Sequence, residues 1–476
     1  MNRLIIFLVL SGISGLSFGQ EKWDLRKCVD YALENNITIK QQDIQAQIAE
    51  LTYRQSDLSK FPSFNFSTNL SMNTGRSIDR TTNLYTTQSV INNYFSLQSN
   101  FDLFNFFNKT NTIAGNKLEA EAASATVQKV KDDVGLNVAA AFLQALLAKE
   151  QVNASKIQIE LTTAQLENTR KLVRAGSLPE LNLLQIESQL ANDSSTLISA
   201  VGTETQSMLL LKALLNLDAG LAFDIETPPI ELIPIDPIAE LQPEAVYLLA
   251  IKNLPQQRVN QLRLDAARKF ASAAKGAMYP SIGVGFSLGS NYSNLKSNPS
   301  LISSSATGLD TIGHVYGSNV PVVVPVYDKI YKVDASPYWT QVSDNFSNAV
   351  GFGINVPIFN GGSAKIYWQK QKLNVKNLSL QQELDNKSLK QDIYKAYTDA
   401  MTALQKFNAS TKAVETAQKA YDFSSKRYTV GLLSTIDLLI NQNNLFRAKI
   451  DRLSAQYSYV FKIKVLEYYR GQGIKL

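Results

Sequence analysis

Cys28 and His314 are the single cysteine and single histidine in 476 residues. A thiol or imidazole nucleophile set would need one of them in a recognisable motif, and neither sits in one. A Cys/His zinc site is excluded, because such a site takes four ligands and the chain has two. An intrachain disulfide cannot form. Adjacent acids are what remains, as at Asp132 and Asp133, and acids on a helix are ordinarily its solvated face. The residues therefore assign no catalytic group, no metal ligand and no cofactor, and they argue against an enzyme. Whatever this chain does must come from the arrangement of its elements.

Charge and composition narrow the choice. Lys and Arg number 47 against 41 Asp and Glu, a net charge of +6, with no Lys/Arg-rich block. A nucleic-acid partner is not indicated. Apolar residues make up 45%, enough to build a core. Arg3 precedes a short apolar run that ends in Ser17-Phe18-Gly19 before Gln20. That pattern predicts a secretory signal peptide over 1–19, cleaved after Gly19. No later segment reaches 18 continuous apolar residues. The exported chain is then either soluble outside the cytoplasm or crosses a membrane as strands, which only a closed barrel permits.

The chain is written twice. Ala32-Leu33-Glu34-Asn35 is similar to Ala250-Ile251-Lys252-Asn253, and Pro62-Ser63-Phe64 to Pro280-Ser281-Ile282, both at an offset of 218. Asn100-Phe101-Asp102-Leu103-Phe104-Asn105 pairs with Asn355-Val356-Pro357-Ile358-Phe359-Asn360, and Gly176 with Gly431, both at 255. The difference places an insertion between Pro280 and Asn355. Repeat 1 is expected over 20–242 and repeat 2 over 243–476, joined by a proline-rich stretch at 224–243.

Each repeat starts with a helix, about 24–58 and 243–276, that ends before Pro62 or Pro280. The apolar period then changes to two. Phe64, Phe66 and Leu70 alternate with polar residues, as do Ile282, Val284, Phe286 and Leu288 with Ser and Gly. Strands are expected at about 62–71 and 95–104, and at 280–290 and 349–359, with external loops at about 72–93 and 291–348. Segments of about 9–11 residues suit a tilted membrane strand. One isolated hairpin per repeat is not stable alone. Four strands cannot close a barrel, whereas three copies would supply twelve. Long helices follow at about 106–173 and 362–428, with return helices at about 179–216 and 434–470. Val127, Val130, Val134, Val138, Ala141, Ala145 and Ala148 recur every 3.5 residues on average, the coiled-coil period. Gly176 and Gly431 mark the turns between outgoing and returning helices.

This layout, with Trp23-Asp24-Leu25, Pro62 and Pro280, Val356-Pro357-Ile358-Phe359-Asn360-Gly361-Gly362 and Arg427-Tyr428-Thr429-Val430-Gly431, resembles the TolC family of outer-membrane efflux and secretion ducts. The resemblance implies an α+β membrane protein of two tandem repeats. Three copies would form a 12-strand β-barrel in outer-membrane lipid and a 12-helix α-barrel reaching into the periplasm. It implies a homotrimer acting as a passive exit duct for a tripartite efflux pump or a type I secretion system. A periplasmic adaptor (membrane fusion) protein and an inner-membrane transporter would open it at the tips. By position from the tip glycines Gly176 and Gly431, Tyr428 beside Arg427 matches a gate tyrosine and Asn182 its partner. Asp437 matches a constriction aspartate. Leu433 stands where an arginine often sits, Leu181 replaces a small polar residue and Ile440 a second ring aspartate, which implies a weaker or more apolar closure, or a differently placed one.

Two other classes remain. A periplasmic adaptor would explain one long helical hairpin, but not two equal rods each preceded by strands. A secreted coiled-coil structural protein would need no alternating strands.

Overall fold

The computed structural model describes residues 22–78, 85–227 and 236–471. The signal peptide expected at 1–19, and Pro228, Pro229 and Pro234 of the joining stretch, lie outside the described residues. In chain order the elements are α1 (Leu25–Asn35), α2 (Ile37–Leu58), β1 (Ser63–Ile78), β2 (Tyr85–Phe104), α3 (Asn108–Arg174) and α4 (Glu180–Leu215). There follow α5 (Pro243–Asn253), α6 (Pro255–Gly276), β3 (Ser281–Ser293), β4 (Ser297–His314), β5 (Pro321–Ala335), α7 (Tyr338–Asp344), β6 (Ser347–Asn355), α8 (Ser363–Thr429) and α9 (Thr435–Tyr469). Among the described residues no helix is long and apolar enough to cross a membrane.

The chain forms two compact units, and they cut across the repeats. Among the described residues, one takes 22–53, 115–268 and 372–471; the other takes 54–114 and 269–371.

The first unit is helical. The 3.5-residue seam of α3 is buried from Val134 through Ala148, and Phe142, Leu143 and Leu146 widen it. These side chains pack with Cys28, Val29 and Ala32 of α1, Leu211 and Leu215 of α4, and Tyr457 and Val460 of α9. A second cluster joins Val246, Ala250 and Leu254 to Ile393, Ala396, Ala400, Ile463 and Leu466. The repeat offsets relate the two clusters. Cys28 and Ala32 correspond to Val246 and Ala250, and Val138, Ala141, Ala145 and Leu211 to Ile393, Ala396, Ala400 and Leu466; all are buried.

The opening helices differ from expectation. The sequence reads 24–58 and 243–276 as single helices, and each is broken. Asn36 ends α1, with its amide N–H on the Ala32 carbonyl at 2.9 Å. Its side-chain oxygen then accepts from Thr38 N at 2.9 Å and caps α2. At the equivalent site Leu254 leaves the helical region (φ −68°, ψ 130°) because Pro255 disfavours helix in the residue before it. Two different chemistries place the same break.

The second unit holds a four-stranded antiparallel sheet in the order β1-β2-β3-β6. Its register sorts the alternation into faces, because directly opposed residues share a side. Phe66, Leu97 and Leu288 lie in one row, and Phe101, Val284 and Phe352 in another. The other side carries Ser63, Asn100, Gly285 and Gly351, then Asn65, Gln98, Ser287 and Ala349. Phe64, Phe66, Leu70, Val350, Phe352 and Ile354 of the apolar side are exposed.

Strand and helix join through left-handed residues in both repeats. Gly361 and Gly362 have φ of 66° and 76°. At the 255-offset positions stand Phe106 and Phe107, with φ of 45° and 62°. A side chain in that region costs about 1–2 kcal/mol per residue. Ring packing offsets the cost: Phe106 stacks on Tyr279 at 4.9 Å, and Phe104 meets Phe106 and Phe107 at 5.1 and 5.6 Å.

The segments expected as loops, 72–93 and 291–348, are mostly strand. β1 runs on to Ile78 and β2 starts at Tyr85. β4 and β5 form a separate two-stranded ribbon with register shifts between Leu301 and Ser303, Ala306 and Gly308, and Thr311 and Gly313. Prolines suggested a loop, but a ribbon has two edge strands, where proline can face outward. The β-branched run Val322-Val323-Val324 and Val326 favours strand. The ribbon closes at its base, where Ser336 N donates to the Lys296 carbonyl at 3.0 Å. Deleting 297–335 and joining Lys296 to Ser336 should therefore leave the four-stranded sheet intact. Unchanged circular dichroism and membrane recovery would agree; loss of the folded chain would give the ribbon a structural role.

Candidate functional site

The two helical hairpins end in matched turns. Gly176 and Gly431 take φ of 71° and 76°. At the first turn Gly176 N donates to Val173 O and Ser177 N to Leu172 O, both at 2.9 Å. At the second Gly431 N donates to Tyr428 O at 3.0 Å and Leu432 N to Arg427 O at 2.9 Å. This paired bonding is the Schellman end of a helix, which needs the left-handed residue that glycine supplies without strain. Arg427 adds a side-chain donor to Leu432 O at 3.3 Å.

The return helices start differently. Ser434 caps α9: its Oγ accepts from Asp437 N at 3.1 Å and donates to Asp437 Oδ2 at 2.7 Å. Asp437 is exposed, with its carboxylate tied to the cap of its own helix. Pro179 occupies the matching cap of α4 and offers no side-chain bond.

Among the described residues no hydrogen bond joins Tyr428 to Asn182. The Tyr428 hydroxyl lies 3.2 Å from Thr169 Oγ1 and accepts from Thr435 Oγ1 at 3.4 Å. Both threonines are buried, and buried hydroxyls need partners. Asn182, half-buried in the first turn of α4, is held by its backbone N–H on Pro179 O at 3.1 Å. Tyr428 therefore ties α8 to α3 and α9. Around the turns Leu181, Leu432, Ile436 and Ile440 are exposed.

Behind the tips the hairpins meet along a seam whose residues the sequence analysis did not single out. Leu166, Ile186 and Leu439 form a small apolar plug with Leu183 and Leu190. Next to it lies a buried polar cluster. Asp193 accepts from Thr162 Oγ1 at 2.6 Å, from Gln158 Nε2 at 3.3 Å and from Gln189 Nε2 at 2.7 Å. Gln442 Nε2 donates to Thr162 Oγ1 at 2.9 Å, and Gln189 and Asn443 exchange amide bonds at 3.1 Å. The available signal was the i, i+4 spacing of Gln158 with Thr162 and of Gln189 with Asp193. On a long helix that spacing reads equally as a wet face.

Cys28 is fully buried in the helical core, and burial pushes its thiol up to about 12. No group of three or more His, Cys, Asp or Glu able to hold a metal occurs among the described residues.

The profile of the outer membrane efflux protein family matches residues 28–217 and 246–463, most of the chain and both repeats. The chain belongs to this family. As an outer membrane efflux protein it resides in the outer membrane. It is 24% identical over 344 residues to the outer membrane efflux protein BepC of Brucella suis biovar 1 (strain 1330), covering 68% of this chain and 65% of that protein. It is 25% identical over 162 residues to the outer membrane protein TolC of Salmonella enteritidis, covering 33% of each. The matched stretches thus span about a third to just under two thirds of these curated relatives. The fold is similar to that of CusC (TM-score 0.76, 17% identity, 95% of this chain and 93% of that one). It is also similar to CmeC of Campylobacter jejuni, an outer membrane channel (TM-score 0.73, 17% identity, 95% and 86%). The open state of the MtrE outer membrane channel of Neisseria gonorrhoeae is a further match (TM-score 0.71, 18% identity, 95% and 89%).

Tyr428→Phe should leave the buried Thr169 hydroxyl without its tyrosine partner. A loss of about 1–3 kcal/mol is expected for a buried polar group left unpaired. Denaturant melts of the purified protein measure it, and a melt identical to wild type would show that the Tyr428 bonds contribute nothing.

Proposed function

We propose that this outer membrane efflux protein is a passive exit duct. Three copies form a 12-strand barrel in the outer membrane and a 12-helix tube in the periplasm. The observation that carries this reading is the open sheet. β1 and β6 each pair on one side only among the described residues, and the apolar face between them is uncovered. In lipid an unpaired strand edge is not tolerated, so the edges must meet other strands. An even number of strands per chain keeps the alternation, so each junction between copies is antiparallel as well. Three times four gives 12, within the range of outer-membrane barrels.

The matched helical turns are the docking face for a periplasmic adaptor and an inner-membrane transporter, in a tripartite efflux pump or a type I secretion system. Docking opens the tips. Three Asp437 side chains near the axis would favour cations. The exposed Leu432, Ile436 and Ile440 support closure by apolar contact more than by ion pairs.

Two measurements test this. The membrane fraction should hold heat-modifiable trimers that form ion channels in planar bilayers; recovery as a soluble monomer would falsify the duct. Asp437→Ala should lower cation selectivity in the same bilayers, and unchanged selectivity would remove Asp437 from the constriction.

A further inference from the structure

The cluster at Asp193 does more than fill space. Asp193 is buried and forms no ion pair among the described residues. All three of its partners are donors, so it serves as an acceptor only. Thr162 is fully buried and owns one proton, which goes to Asp193 at 2.6 Å. The Thr162 oxygen can then only accept from Gln442, so the amide of Gln442 must face it. The direction of the whole chain, Gln442 to Thr162 to Asp193, follows from the carboxylate at its end. One group is left over. Gln442 is 1% exposed, and its Oε1 is buried without a partner.

The repeat supplies a control. At the 255-offset positions of Gln158, Thr162 and Asp193 stand Ala413, Ala417 and Ala448. Three small side chains serve that face in the second hairpin. The carboxyl group and two of its three donors belong to the first hairpin alone, while Gln189 has Asn444 at its matching position; the cluster holds the second hairpin through Gln442 and Asn443.

We infer that Asp193 and Gln442 are positioning residues that set the closed state of the tip with opposite signs: Asp193 locks α9 against α3 and α4, and the orphaned carbonyl of Gln442 works against the lock. This rests on the duct reading and adds a regulation to it. A buried acceptor without a donor is unfavourable, and it is relieved when α9 shifts and water reaches it. The seam is thus held by the chain through Gln442 and by the Gln189–Asn443 amide pair, and loaded by one unmet group. A partner docking at the turns then has only a small difference to overcome.

The test uses the full-length protein in planar bilayers, with hydrogen exchange of the α9 amides around Leu438–Leu445 as a second readout. Asp193→Ala should raise spontaneous open probability and speed α9 exchange by about tenfold, the value of one hydrogen bond. Asp193→Asn should loosen the seam less than Asp193→Ala but measurably, because the amide keeps one acceptor oxygen and sets an NH2 against a partner that is itself a donor. Gln442→Met, which removes the orphan along with one hydrogen bond, should lower open probability and slow exchange. A packing role alone predicts that Gln442→Met loosens the seam and that Asp193→Asn is silent. Either result overturns the inference, as do wild-type exchange and opening in Asp193→Ala. If no form of the protein conducts, the duct reading fails, while opposite shifts in exchange would still support the seam. Exchange shifts of the same sign would sink it.

Discussion

The outer edges of β1 and β6 carry backbone N–H and C=O groups with no partner among the described residues, and a lipid bilayer supplies none. That deficit governs the rest of the design. A single hairpin per repeat is too small to stand alone, so each repeat needs its twin, and the pair still lacks closure. The sheet exposes phenylalanine, leucine and valine on one side and serine, asparagine and glycine on the other. Such a surface suits lipid outside and water inside, and it suits a folded monomer in water poorly.

Duplication meets this demand economically, and it leaves a readable trace in the helices. Cys28 and Val246 are unlike as chemistry and alike as buried volume. The same holds for Val138 and Ile393. The break after α1 is made by an asparagine that bonds its own backbone, and the break after α5 by a proline that forbids the preceding turn. What the two copies share is therefore geometry, with residue identity free to drift wherever another side chain serves the same position.

Where the copies differ in kind, symmetry has been given up. Phe106 and Phe107 occupy a left-handed junction that Gly361 and Gly362 occupy without strain. Ser434 caps one return helix while Pro179 starts the other bare. Gln158, Thr162 and Asp193 of the first repeat have alanines at the matching positions of the second. These asymmetries fall at the strand–helix junction and around the tips, where two hairpins of one chain meet side by side.

The sequence by itself determined the doubling, the long helices with their 3.5-residue seam, the glycine turns and the change of period at Pro62 and Pro280. Each depends on neighbours a few residues apart, and periodicity records those directly. Much of the ribbon over 297–335 was hidden, because proline and glycine read as loop until two edge strands are known to pair. The partner of Tyr428 could not be read either: the hydroxyl meets Thr169, 259 positions away, and not Asn182. The same applies to Asp193 and Gln442, polar side chains that a helical pattern assigns to solvent. Only the packing of one hairpin on the other decided that they are buried, since a hydrogen bond between distant segments leaves no spacing in the chain.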